Sequence, residues 1–95
     1  MTYGVISNWK SDVANTDDMR AIARSKYLKA VMDLGAADCY FIETGDDTFS
    51  VCSVYPDEAT AKAASLKQNA VRSEASKEMP IKMLNEVRGI IFASS

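Results

Sequence analysis

The spacing of hydrophobic positions changes several times along the chain, and each change marks an element. From Thr2 to Trp9 apolar and small polar residues alternate around Tyr3, Val5 and Ile6 with few charges, which predicts a first strand. Lys10 to Thr16 is polar and reads as a loop, with Asn15 or Thr16 placed to cap a helix that opens on Asp17 and Asp18. Met19, Ile22, Ala23, Tyr27, Ala30, Val31 and Leu34 then recur at helical spacing, and Gly35 can supply the left-handed residue that ends the helix. The run "ADCYFIETGDDTFSVCSVY" returns to strand patterning on both sides of Gly45-Asp46, a pair suited to a two-residue type II′ hairpin.

A two- or four-residue loop there puts Ile42 opposite Phe49, Tyr40 opposite Val51, Phe41 opposite Ser50 and Cys39 opposite Cys52. Tyr40, Ile42, Phe49, Val51 and Tyr55 then share one face, and Ala37, Cys39, Phe41, Cys52 and Val54 the other. Both faces are apolar, whereas a sheet with one wet face alternates cleanly. Two helices cover only one of them, so the pattern calls for something over the second.

Pro56 stiffens the turn after this hairpin, Asp57 caps the next helix, and the helix is predicted from about Glu58 to Glu78. Its expected core stripe is Ala59, Ala63, Leu66 and Ala70, drifting into Val71, Ala75 and Met79. Pro80 ends it, "IKMLNEVRG" reads as a connector, and "GIIFAS" as the last strand. The order βαββαβ predicts a single α+β domain over residues 1–95 with the ferredoxin-like arrangement: a four-stranded antiparallel sheet carrying both helices on one face.

Composition narrows the functional classes. A domain of 95 residues buries only about 60–65% of the surface its unfolded chain exposes, so a partner would add needed core area. The net charge is -2 and no Lys/Arg run occurs, which leaves no basic footprint for a phosphate backbone and excludes nucleic acid as the expected partner. There is no histidine, so the commonest general base and metal ligand are missing, and Cys39 and Cys52 have neither C-x-x-C nor metal-ligand spacing. No cofactor or metal is expected. "MTYGVISNWK" lacks the basic start and apolar run of a signal peptide and no stretch is long enough to span a bilayer, so the expectation is a cytoplasmic protein without membrane contact.

A strand ending in Val-Tyr, the acidic turn and helix start "PDEATAKAA", a Pro-containing connector and a final "GIIF" together resemble the dimeric α/β barrel superfamily. The small proteins grouped with antibiotic-biosynthesis monooxygenases are the nearest in pattern. The resemblance covers the whole chain as an order of elements, but in sequence only Val54 to Ala64 and Gly89 to Phe92 carry it. It implies a homodimer in which two sheets pack face to face with the helices outside, which accounts for the second apolar face. It also implies a ligand cleft between helices and sheet, used in cofactor-independent oxygenases for polycyclic phenols and in relatives for haem degradation. The haem-degrading pattern has an Asn on the first strand, a Trp in the second helix and a His beyond it. Asn8 matches the first, but Ala63 and Ala64 stand near the Trp position and the chain has no His.

On that resemblance Asn8, Trp9 and Tyr55 are the catalytic candidates, and Tyr27, Tyr40 and Leu66 the pocket-lining ones. Asn8 and Trp9 end the first strand, where an amide and an indole can hold a phenol or its oxyanion. Being adjacent they point to opposite faces, so at most one lines any given pocket. The plainer reading makes Trp9 a core or dimer-rim anchor and the tyrosines buried rings with hydroxyls near solvent. Cys39 and Cys52, opposite each other in the predicted register, could form a redox pair or serve as two small buried hydrophobes. Arg20, Arg24, Arg72 and Arg88 could steer an anionic ligand or lie solvated on helices; Asp46 and Asp47 belong to a turn.

The resulting expectation is a homodimeric barrel protein that binds a small aromatic or apolar molecule in a helix–sheet cleft, with cofactor-independent monooxygenation as its candidate reaction. The alternative is a non-catalytic dimeric regulatory or stress-related domain whose cleft is filled by its own side chains. An amino-acid-binding regulator or RNA-recognition domain is a third, weakened by the absence of basic residues beside the aromatics of "DTFSVCSVY".

Overall fold

The computed structural model describes all 95 residues. Four strands, β1 (Tyr3–Ser11), β2 (Asp38–Glu43), β3 (Thr48–Tyr55) and β4 (Ile81–Ile90), form one antiparallel sheet in the order β2-β3-β1-β4. Between β1 and β2 runs a helix made of Asp17–Ile22, a π-helical turn Ala23–Tyr27, and Leu28–Asp33. The second helix, Glu58–Glu78, connects β3 to β4. This is the ferredoxin-like βαββαβ order, with both helices on one face of the sheet.

The helix ends are set by short-range chemistry. Thr16 Oγ1 accepts from the Met19 N–H at 3.2 Å and Asp57 Oδ1 from the Thr60 N–H at 2.7 Å, each satisfying a donor that the first turn leaves open. Gly35, at φ 110°, turns the chain out of the first helix in a conformation that costs other residues about 1–2 kcal/mol.

Three sequence expectations need correction. The hairpin loop has three residues, Gly45 to Asp47, closed by the Thr44 N–H donating to Thr48 O, so the pairs are Cys39–Ser53, Tyr40–Cys52, Phe41–Val51, Ile42–Ser50 and Glu43–Phe49. A one-residue slip exchanges the two faces of a strand. Cys39 and Phe41 therefore join Phe49 and Val51 under the helices, while Tyr40 and Ile42 lie with Cys52 and Val54 on the opposite face. Cys39 and Cys52 thus point away from each other, and both are free thiols. The loop is held by the segment before the first helix: Asn15 Nδ2 donates to Gly45 O and Thr48 O, and the Asn15 N–H to Asp46 O.

Second, the buried stripe of the long helix is Ala61, Ala64, Gln68 and Ala75, with Val71 half-buried. Ala59, Ala63, Leu66 and Ala70 are all exposed, Leu66 at 81%. Alanine occurs on both stripes and packs closely against a sheet from either. Third, "IKMLNEVRG" is not a connector but most of β4, which stops at Ile90. The charges of this edge strand hide its alternation, and a register shift opposite Asn8 and Trp9 breaks the period.

Two buried clusters lie between sheet and helices. One gathers Val5, Val31, Ala36, Tyr55, Ala61 and Ala64 at one end, and the other gathers Trp9, Tyr27, Val51, Ala75, Met79 and Ile81.

Candidate functional site

Between the helices and the sheet the second cluster opens into a cleft of about 520 Å³, within the range of small-molecule sites. Its floor is the inner face of three strands: Ser7 and Trp9 of β1, Cys39 and Phe41 of β2, and Phe49 and Val51 of β3. Met19, Ala23, Tyr27, Leu28 and Val31 form one wall, and Gln68, Val71, Arg72 and Ala75 the other. The π turn lies where the first helix faces this space, and Tyr27 at its end is buried.

Trp9 is the central feature of the floor. Its ring stacks on Phe49, its cross-strand partner, with centroids 5.9 Å apart and planes 7° from parallel. The indole N–H donates to Ser7 Oγ at 2.8 Å, two residues back on the same face, so both orientation and polarity are satisfied within β1. Tyr27 closes one side: its hydroxyl donates to the Glu78 carboxylate, and Lys26 Nζ bridges Glu78 at 3.0 Å and Glu74 at 3.1 Å, tying the π turn to the end of the second helix. Burial first, and then this carboxylate, push the Tyr27 phenol above its ordinary range, while the Tyr27 hydrogen bond holds Glu78 below its own. Tyr27 is therefore a neutral hydrogen-bond donor at physiological pH. Desolvation raises the Cys39 thiol to about 11, so it is also neutral there.

On the polar side of the cleft only the arginines were legible from sequence. Gln68 is only 4% exposed and interrupts an otherwise small, apolar stripe. Arg72 reaches from the next turn to Glu86 of β4, which also binds Arg88 at 2.6 Å. Ser7 sits opposite Glu86 in the β1–β4 register, so Ser7 and the Arg72 side chain share one end of the floor. Burial pushes the Glu86 carboxyl up, but the hydrogen bonds from Arg72 and Arg88 outweigh it and hold it below the usual carboxylate range.

The sequence candidates divide. Trp9 and Tyr27 line the cleft together. Asn8 is on the opposite face, where its Nδ2 donates to Asn85 Oδ1 at 2.8 Å and its Oδ1 accepts from Ser50 Oγ at 2.6 Å. Tyr55 is fully buried in the other cluster with its hydroxyl unpartnered, and it does not line the cleft. Tyr40 contributes to the rim, but its side chain belongs to the face away from the helices and is 56% exposed. Leu66 projects to solvent from the far side of its helix. Arg20, Arg24 and Arg72 reach the cleft; Arg88 lies on β4 rather than a helix. Ser7, Phe49 and Gln68 were not singled out beforehand. The Ser7–Trp9 spacing on a strand and a lone amide on an Ala-rich helix are the signals that mark two of them.

No group of His, Cys, Asp and Glu side chains is placed to hold a metal ion, and no helix is long and apolar enough to cross a membrane.

No protein-family model matches the chain, and no curated protein does. Solved structures do match in fold. A dimeric ferredoxin-like protein from an uncultured marine organism is 11% identical over 99% of this chain and 98% of its own, with a TM-score of 0.69. SnoaB, a cofactor-independent oxygenase from Streptomyces nogalater, is 10% identical over 98% and 95%, with a TM-score of 0.70. A monooxygenase from the gene ActVA-Orf6 of Streptomyces coelicolor, solved with the ligand nanaomycin D, is 14% identical over 97% and 92%, with a TM-score of 0.63. The chain thus has the ferredoxin-like fold, which it shares with a dimeric ferredoxin-like protein and with two oxygenases.

Proposed function

We propose that this chain is a homodimeric protein that takes a small aromatic molecule into the cleft between its helices and its sheet. The observation that carries the reading is the cleft itself, an apolar space of about 520 Å³ floored by the Trp9–Phe49 stack and edged by Ser7, Gln68 and Arg72. A flat aromatic floor with a few convergent polar groups suits a planar ligand whose oxygen atoms need partners. An open volume of this size favours this reading over a domain whose cleft is filled by its own side chains.

The other side of the sheet supports the dimer. Ile6, Tyr40, Ile42 and Val87 are 39–56% exposed there, beside half-buried Cys52 and Val54. A contiguous apolar sheet face of this kind marks an interaction surface. A second copy, offering the same face, covers it symmetrically. That one structural neighbour is a dimeric ferredoxin-like protein supports this assignment.

Oxygenation is the reaction to assay, because two neighbours of this fold are oxygenases. In it a ring CH2 flanked by phenol rings becomes C=O, consuming one O2 and releasing one water. Trp9 and Tyr27 would hold and orient such a substrate. Isothermal titration of the dimer with 1-naphthol tests the binding step, with one saturable site per chain expected; absence of any saturable heat overturns the proposal. Oxygen uptake with a tricyclic phenol bearing such a CH2 then reports turnover.

A further inference from the structure

Arg72 is the one cleft residue with a buried side-chain nitrogen left without a partner in the chain. Its Nη1 donates to Glu86, but its Nη2 is buried without a partner. A buried unpaired N–H on a cation costs more than a neutral one, so such a group is normally matched by an acceptor. The carboxylate it already holds is shared with Arg88, so two guanidinium groups lean on one anion.

The wider cleft has the same bias. Its charged lining residues are Arg20, Arg24, Arg72 and a single carboxylate, Glu43. The chain as a whole carries a net charge of -2, so positive charge has been gathered here against the overall balance. Glu43 is itself engaged by Arg20, which leaves Arg24 at the rim and Arg72, largely buried in the helix wall and shared with Glu86, as the other cations lining the cleft. Gln68, one turn before Arg72, and Ser7 supply neutral polar groups at the same end.

We infer that the aromatic ligand carries a carboxylate, which pairs with the Arg72 guanidinium at the cleft wall while the ring system lies over Trp9. The inference rests on the aromatic-ligand reading above and specifies the class within it: an aromatic acid, anionic at neutral pH, rather than a neutral polycycle. Arg72 is well suited to the task because a guanidinium presents its donors in a fixed fork and remains charged at any physiological pH. Glu86 orients that fork by holding the other nitrogen.

The test is a matched pair of probes, 2-naphthoate and 2-naphthamide, of nearly equal shape and differing in charge, titrated calorimetrically into the full chain. 2-Naphthoate is expected to bind at least about tenfold more tightly, the size of one charge-assisted hydrogen bond. In Arg72→Gln the preference falls to about twofold or less while 2-naphthamide binding is retained. Glu86→Gln, which removes the competing carboxylate and keeps the guanidinium, is expected to tighten 2-naphthoate and leave 2-naphthamide unchanged. Equal affinities of the two probes for the native protein overturn the carboxylate assignment and leave the aromatic site standing. A preference that survives Arg72→Gln overturns the role of Arg72. If neither probe binds, the aromatic-site reading fails, and this inference with it.

Discussion

Trp9 and Ser7 show how much of the site is decided by single contacts. The indole N–H is buried and has Ser7 Oγ as its partner, so Ser7→Ala leaves a donor without an acceptor. The expected loss is about 1–3 kcal/mol in chemical denaturation, large for the removal of one oxygen. Cys39 offers a second reading at this scale. Its thiol is held neutral to about pH 11, chiefly by desolvation, so alkylation by iodoacetamide at pH 8 is expected to be much slower than for a free thiol and to accelerate towards pH 11. In the unfolded chain the same thiol ionises at lower pH, so its contribution to stability is complete in neutral solution and is lost on the alkaline side. Trp9 was legible as a candidate because aromatic residues at strand ends are conspicuous in a sequence. Ser7 and Gln68 were not, because a serine on a strand and a glutamine on a helix are ordinary surface residues until the fold turns them inward. Asn8 and Tyr55 fell elsewhere for an equally local reason: the first is adjacent to Trp9 and so points the other way, and the second sits at the far end of β3 from the cleft.

At the level of elements, the second helix carries the clearest lesson. Its limits were predictable, since Asp57 and Pro80 bracket it with a cap and a stop. Its rotation was not, because alanines lie on both candidate stripes and the single leucine drew attention to the wrong one. Leu66→Glu is therefore expected to change stability by less than about 0.5 kcal/mol, as for an ordinary surface position. By contrast, Ala64→Leu forces three extra carbons against the sheet and is expected to cost about 1–3 kcal/mol in urea denaturation. The hairpin makes the same point. Cys39, Tyr40, Phe41 and Ile42 are all apolar, so the alternation that would select a register is absent, and the choice passes to the loop and to Asn15, which is remote in sequence. The π turn also lacks a sequence signature, yet it is where Tyr27 enters the cleft wall.

For the whole molecule the two faces of β3 predict two different failures. Val51 is buried under the helices, so Val51→Asp is expected to abolish the folded circular-dichroism signal. Val54 lies on the opposite face, so Val54→Asp is expected to leave a folded monomer by size-exclusion chromatography with light scattering. Acid should act through the ion pairs that join elements. Glu43 is held low by Arg20, Glu78 by Tyr27 and Lys26, and Glu86, despite the upward push of burial, by Arg72 and Arg88. Their stabilisation is complete above the ordinary carboxylate range and is lost as pH falls through their lowered values, so the melting temperature should hold between pH 7 and 5 and drop below about pH 4. The sequence alone determined the order of elements, the helix boundaries, the apolar character of both sheet faces and the absence of a histidine-based site, because these follow from local periodicity, capping residues and composition. Which face each β2 side chain takes, how the second helix is rotated, and that Ser7, Gln68 and Arg72 meet beside Trp9 were decided by tertiary structure. Those outcomes depend on contacts between residues far apart in the chain, at positions where the local pattern allows two answers of nearly equal energy.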